Sequence, residues 1–412
     1  LSPRGVDRRR LVAGGLAAVA APALAQVPAL PGAPAISRNL PDVVVVGAGA
    51  FGGWTALTLR ERGAKVTLVD TYGPGNPRAS SGGESRNLRS SYGEQEIYTR
   101  WAERAWTLWQ NRQAEFGRRL VFPNGAFSFM RPEPLAKQRA MFERMGLPYE
   151  VLTAAEARKR WPQVSFSDAE ILFFEPRAGV VKARESMIAV SEAFMHRGGE
   201  MRIGKAVPGE LSRGRLQNLQ VNGEPLAAGQ FLFACGPWLP RLMPTLLGDK
   251  IVTPRVELFF VGSGPGDLRY RWEQLPNVTE GGGNYTSSDI GSGLKVRLTQ
   301  AARIQDPDSG DRFPTHSMES DAYAYARRRF PGLAGQPVTA TFVCQVEHTD
   351  NHNFLIDRHP DMANVIIAGG GSGHAFKMGP VLGETIADRL LGAPVAAEES
   401  IHALAAHGAV ST

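Results

Sequence analysis

The first strongly apolar run beyond the N-terminal region is Val43-Val44-Val45-Val46. Four β-branched residues without alternation suit a strand buried on both faces, as parallel sheets require. A glycine-punctuated stretch follows, then a helical pattern from Gly53 to Glu61 that stops at Gly63, then a second run from Lys65 to Val69. The same reading predicts strands near 231–234 and 364–368, and helices near 51–62, 96–115, 184–197 and 381–391. Gly198-Gly199 ends the third of these helices, and Met201–Val207 reads as a further strand. Segments 119–165 and 246–340 alternate instead, as in Val256–Val261 and Lys295–Thr299, and predict a mixed sheet. Strand and helix alternating through the remainder predict an α/β fold.

The punctuated stretch carries the first chemistry. Gly47-Ala48-Gly49-Ala50-Phe51-Gly52 follows a strand, opens a helix and is succeeded by a second strand ending at Asp70. This is the order of a dinucleotide-binding Rossmann unit. Gly47 makes the tight turn, Gly49 admits a pyrophosphate and Gly52 lets helix pack on strand. The helix N-terminus offers N–H groups to phosphate, and Asp70 can accept from ribose hydroxyls. These features leave FAD and NAD both open.

At 412 residues and 43% hydrophobic, the chain can build two or three domains and enclose a bulky cofactor. Lys and Arg exceed Asp and Glu by 46 to 40. Half of that surplus comes from Arg4, Arg8, Arg9 and Arg10 against Asp7. The rest is nearly neutral, without a basic helix interleaved with aromatics, which argues against nucleic acid as a partner. Residues 7–25 place Arg8-Arg9-Arg10 before a mild apolar run ending Ala23-Leu24-Ala25, an A-x-A cleavage pattern. Arg8-Arg9 followed by Leu11 and Val12 resembles a bacterial twin-arginine signal, which implies handling by the twin-arginine translocase and a periplasmic product. Gly14, Gly15 and Pro22 interrupt the run, so no stable membrane anchor is expected. Residues 26–40, with Pro28, Pro31 and Pro34, read as a linker. Two cysteines, Cys235 and Cys344, form no disulfide framework, and Cys235 reads as a buried small hydrophobe.

Four later blocks separate the two cofactors. Ser80-Ser81-Gly82-Gly83-Glu84-Ser85-Arg86-Asn87-Leu88-Arg89 resembles the segment after the second strand in D-amino-acid-oxidase-like flavoproteins of the monomeric sarcosine oxidase and N-methyltryptophan oxidase group. Ala234-Cys235-Gly236-Pro237-Trp238 is similar to that family's Gly-x-Trp turn, and Gly293-Leu294-Lys295 to its lysine-bearing strand. Cys344–Asp357 together with Ile366–Lys377 resembles its C-terminal flavin-binding stretch. The blocks stand in family order across about residues 41–395.

The resemblance implies a Rossmann-type FAD-binding domain with a mixed-sheet α+β substrate domain, of the glutathione-reductase-like class. It implies FAD, joined through its 8α carbon to Cys344, although the residues alone equally describe an ordinary buried cysteine. Ser81, Arg86, Gly236, Trp238, Gly373 and Lys377 would contact the cofactor, with Val207 beside the adenine. Arg89 and Lys377 would bind a substrate carboxylate, as a fork and a point charge. Lys295 would supply the positive charge that favours electron transfer to O2, and His374 is a pocket candidate. A helix beginning near Pro380 would point its positive end at the flavin pyrimidine. Cys344, His348 and His352, spaced by four, with His359 beyond, also suggest a metal set, but the flanking pattern does not place them on one helix face, and no metal is expected.

The chain departs from the family where Ser81 and Gly82, Thr299 and Val346 replace two histidines, a histidine and a tyrosine of the substrate pocket. Tyr285 or Asn284 can stand in for a pocket tyrosine. Sarcosine itself is therefore a doubtful substrate. The expected division is a signal at 1–25, a linker at 26–40, FAD-binding segments 41–118, 166–245 and 341–395, substrate segments 119–165 and 246–340, and a tail at 396–412. The expected activity is oxidation of the C–N bond of a secondary amine or an N-alkyl or cyclic amino acid, with O2 or a respiratory acceptor taking the electrons. An NAD-dependent dehydrogenase and a non-enzymatic flavoprotein subunit are the alternatives.

Overall fold

A computed structural model describes residues 39–281, 283–299 and 303–410. The signal-like segment 1–25 and linker residues 26–38 lie outside the described residues. Among the described residues no helix is long and apolar enough to cross a membrane.

Val43–Val46 is the centre of a six-stranded sheet. Gln230–Phe233 and Val66–Asp70 flank it in parallel, Val365–Gly369 and Glu200–Ile203 lie outside these, and Leu355–Arg358 closes one edge antiparallel. Its alternate side chains enter two different cores. Val43 and Val45 pack with Trp54, Leu57 and Leu382, whereas Val44 and Val46 pack with Phe231, Phe233 and Leu239. This two-sided burial is why the sequence shows an unbroken valine run.

Helix Ala50–Glu61 crosses helix Gly379–Leu390 closely because two glycines lie against Trp54. A Cβ on Gly379 would sit 2.5 Å from the indole, and one on Gly383 2.7 Å from the Trp54 backbone. Helix Ala183–His196 packs beside it through Met187, whose Cε lies 2.9 Å from where a Gly53 Cβ would be.

A second, eight-stranded sheet runs Val338–Gln345, Arg255–Val261, Leu294–Arg297, Asn284–Ser287, Asn277–Gly281, Ala126–Phe129, Ile171–Glu175 and Glu150–Thr153, in that spatial order. It is antiparallel except where Asn277–Gly281 meets Ala126–Phe129. This pairing corrects the expected division at two places. Ile171–Glu175 belongs to this sheet and not with the dinucleotide segments. Helix Pro132–Met145 covers its Phe173 face while Leu172 enters the sheet's other core. Val338–Gln345 is likewise one unbroken strand here, so Cys344 is carried in on the eight-stranded sheet.

The third correction concerns residues 396–412, expected as a tail. Those described pack back onto the fold: Leu404 N–H donates to Asp357 at 2.8 Å, Val410 N–H to Asp249 O at 2.8 Å, and His402 is fully buried. A small antiparallel sheet of Ser85–Leu88, Gly179–Lys182 and Val121–Pro123 bridges the two large ones and places Arg86 and Arg89 between them.

Candidate active site

One cavity of about 950 Å³ runs from the glycine turn to the underside of the eight-stranded sheet. Small-molecule sites span roughly 300–1,000 Å³, so this one is sized for a large ligand.

At the first end, Gly47 has φ +104°, and a Cβ there would lie 2.3 Å from Ala234 O. A Cβ on Gly52 would lie 2.0 Å from Gly47 O, so Gly52 acts through packing and does not line the cavity. Gly49 lines it with only Ser81 Oγ nearby, at 3.5 Å from a Cβ position. Helix Ala50–Glu61 has no acidic residue in its first turn, and the Ser81 hydroxyl accepts from Ala50 N–H at 3.2 Å. Asp70 lines the cavity and is held rigidly. It accepts from Ala48 N–H at 2.8 Å, Tyr72 N–H at 2.9 Å and Gly73 N–H at 2.8 Å. Burial pushes its carboxyl up while these three donors pull it down. Val207, 38% exposed, sits at the rim. Trp238 donates to Asp308 at 2.7 Å, and Gly236, at φ +51°, faces the buried Glu347. Cys235 is half-buried, with Sγ 3.6 Å from Val46 O. A cradle that a Cβ would fill, an acid fixed beyond the second strand and a long cavity between fit FAD. Gly47, Gly49, Ser81, Asp70 and Gly236 would hold its dinucleotide half.

Further along, Arg86 bonds Ser85 O at 2.7 Å and Ser80 O, with Cys344 Sγ 3.8 Å away. Burial raises the Cys344 thiol, and the guanidiniums of Arg86 and Arg312 act against that. Lys295 does not line the cavity. It is fully buried one layer behind, donating to Ser85 O and Ser85 Oγ, both at 2.9 Å, with Nζ 5.4 Å from the Tyr285 ring. Burial, then the Arg86 charge, hold its ammonium well below the usual lysine range.

At the far end the cations gather on Tyr92. Lys377 Nζ lies 4.7 Å from its ring and the Arg89 guanidinium carbon 5.6 Å. Arg89 donates to Ser91 O and, at 3.0 Å, to Ser91 Oγ. Tyr92 OH lies 3.1 Å from His374 Nδ1, and His374 Nε2 2.9 Å from His352 O. Burial, then the Lys377 charge, depress His374 to about 3, so it is neutral. Glu175 lies behind this group, buried, accepting from Ser90 N–H at 2.8 Å. Its other oxygen has no partner among the described residues. Burial raises its carboxyl, with Arg89 the largest opposing charge. The 3-10 turn Phe376–Met378 leads into helix Gly379–Leu390, so Lys377 is set at the start of the helix expected to point its positive end here.

The structure therefore brings Arg86, Arg89, His374, Lys377, Cys344 and Gly373 to one cavity wall system with the dinucleotide cradle. Sequence reasoning missed Tyr92, Glu175, Glu347 and Arg297. Tyr92 stood three residues beyond Arg89, but nothing local marked Glu175, which reaches the site from another sheet. Gly82 does not line the cavity, since a Cβ there would strike Asn76 O at 1.9 Å. His348 and His352 form an edge-to-face ring pair at 5.6 Å on the cavity wall. His359 instead sits in the 359–362 turn, where Nδ1 accepts from Asp361 N–H.

Comparison with known proteins agrees with this construction. The chain is 30% identical over 363 residues to the monomeric sarcosine oxidase of Streptomyces avermitilis, covering 85% of this chain and 93% of that protein. It is 26% identical over 361 residues to the N-methyl-L-tryptophan oxidase of Salmonella enteritidis, covering 85% and 95%. The fold matches L-proline dehydrogenase from P. horikoshii with TM-score 0.78 at 19% identity, covering 90% of this chain and 97% of that one. The family model for FAD dependent oxidoreductases matches residues 42–389, and the chain belongs to this DAO family of flavoenzymes.

Proposed function

We propose that the chain oxidises the C–N bond of a carboxylate-bearing secondary amine, an N-alkyl or cyclic amino acid. The observation that carries this reading is the pair Arg89 and Lys377 on Tyr92, in the same cavity as the dinucleotide cradle. Neither makes an ion pair within 4.0 Å among the described residues, and the buried Glu175 behind them is the carboxylate that acts on both. The sarcosine and N-methyltryptophan oxidases among its relatives support the substrate class. FAD, when bound, would supply the acceptor for the hydride, with its pair of electrons, that leaves the carbon next to nitrogen.

The protein's own part is binding and charge. Arg89 grips a carboxylate as a fork and Lys377 as a point charge. Burial, then the Arg89 charge, hold the Lys377 ammonium well below the usual lysine range until a carboxylate binds beside it, and the Arg89 field, with His374 kept neutral, disfavours a substrate ammonium and so presents the amine with its lone pair free. Tyr92 orients Lys377 and closes the wall. Lys295 and Arg86 set a positive potential at the other side of the chamber, which favours reduction of O2 to H2O2 in the second half-reaction. The position of Cys344 Sγ, 3.8 Å from Arg86 Nη2 on the cavity wall, supports a thioether from this sulfur to the cofactor. Mixing the purified enzyme in air with a panel of N-alkyl amino acids, and with the same amines lacking the acid, tests this. H2O2 release confined to the acids is the expected result, and equal turnover of both panels contradicts it.

A second reading, export to the periplasm with electrons passed to a respiratory acceptor, is favoured by the arginine pair and apolar run of residues 7–25. Slow reoxidation by air but fast reoxidation by a quinone analogue would select it.

A further inference from the structure

A second tyrosine of the chamber, Tyr285, stands beside two basic residues. Tyr285 has Lys295 Nζ 5.4 Å from its ring, and Arg297 is its direct partner across the strand pair. Residues two apart on a strand share a face. Leu294 and Val296 enter the core of the eight-stranded sheet, so Lys295 and Arg297 point the other way, and Arg297 lines the cavity.

Arg297 is not spent on a structural ion pair. Its Nη1 donates to two neutral oxygens, Gly283 O and, at 3.3 Å, Thr299 Oγ1, and among the described residues it makes no ion pair within 4.0 Å. The acids of the cavity wall are engaged elsewhere. Asp70 holds three backbone N–H groups, Asp308 pairs with Arg241 at 2.6 Å, and Glu347 is held by Ser80 and Gly371. The groups that connect Arg297 to the first cation pair are His348, His352 and His374, and all three line the same cavity. His348 is depressed to about 4, by burial first and then by the charges of His352 and Arg297. One chamber thus presents two separate cationic poles.

We propose that Arg297 is a second carboxylate-binding group, and that the preferred substrate is an imino diacid. Such a molecule is a secondary amine with an acid on each arm, one arm held by Arg89 and Lys377 and the other by Arg297. This rests on the amine-oxidoreductase reading above.

A matched pair of unreactive ethers tests it. Diglycolate has an oxygen in place of the amine and two carboxylates; methoxyacetate has one. Binding of each to the oxidised holoenzyme is read from the shift in flavin absorbance. The wild type is expected to bind diglycolate at least about tenfold tighter, as charge-assisted hydrogen bonds warrant. Arg297→Gln should bring the two ethers to within about twofold of each other, and Arg297→Lys should keep part of the preference. Equal binding by the wild type, or an undiminished preference in Arg297→Gln with a normal flavin spectrum, overturns the proposal. An enzyme that simple N-methyl amino acids reduce, but that binds both ethers equally, keeps the broader reading and loses only this one. Failure of every amino acid to reduce the flavin removes both.

Discussion

Arg89 and Lys377 are the residues on which substrate binding turns. A hydrogen bond to a charged group is worth about 1.5–3 kcal/mol, so Arg89→Gln should raise the dissociation constant of a substrate acid by roughly 10- to 100-fold. Anaerobic titration of the flavin reads this directly. Lys295 serves the other half-reaction. Lys295→Met should slow reoxidation far more than flavin reduction in stopped flow, and equal loss in both would remove its assigned role. Its ammonium is held below the usual lysine range by burial and Arg86. Fast reoxidation should therefore be present at low pH and fade as pH rises, well before an ordinary lysine with a value near 10.5 would lose its proton. Cys344 carries a separable claim. Acid precipitation of the wild type should keep flavin with the protein, and Cys344→Ala should release it.

Elements explain which of these residues the sequence disclosed. The Val43–Asp70 unit was legible because its strand, glycine turn, helix and acid follow one another in one short stretch, where a Cβ on Gly52 would lie 2.0 Å from Gly47 O. Arg86, Arg89, Cys344 and Lys377 were found through their flanking blocks. Glu175 and Arg297 were not. Both sit on strands whose local pattern is set by the core, and only strand pairing reveals that Arg297 lines the cavity and that Glu175 lies buried behind its wall. Ile171–Glu175 fell inside the expected 166–245 FAD-binding segment because nothing local to it shows that it pairs with Ala126–Phe129 and Glu150–Thr153. The crossing of helices Ala50–Glu61 and Gly379–Leu390 offers a test at this level. Gly383→Ala puts a methyl about 2.7 Å from the Trp54 backbone. It should cost about 1–3 kcal/mol and loosen the flavin, visible as a lowered melting temperature together with faster flavin release in the Cys344→Ala background.

At the level of the whole molecule, residues 397–410 are part of the fold and couple it to pH. His402 is fully buried, with Nε2 3.3 Å from Tyr98 OH and its ring stacked on Phe354. Burial depresses it to about 3 from an ordinary 6.5. Between those values the unfolded chain binds a proton that the folded one refuses, so this group's contribution to stability is lost as pH falls from about 6.5 toward 3. The raised carboxyls of Asp70, Glu175 and Glu347 act in the opposite sense, so the informative quantity is a difference. His402→Phe should compare more favourably with the wild type at pH 5 than at pH 8 in thermal unfolding, and an unchanged gap would show that the imidazole is protonated in the fold.

The central claim is that one chamber holds an acid-anchored amine against a bound FAD. Anaerobic addition of N-methyl and cyclic amino acids to the purified yellow protein tests it most directly. The expected result is full bleaching of the flavin band by at least one of them, weakened in Arg89→Gln. A flavin left oxidised by every amino acid, or bleached equally well in that variant, would contradict it.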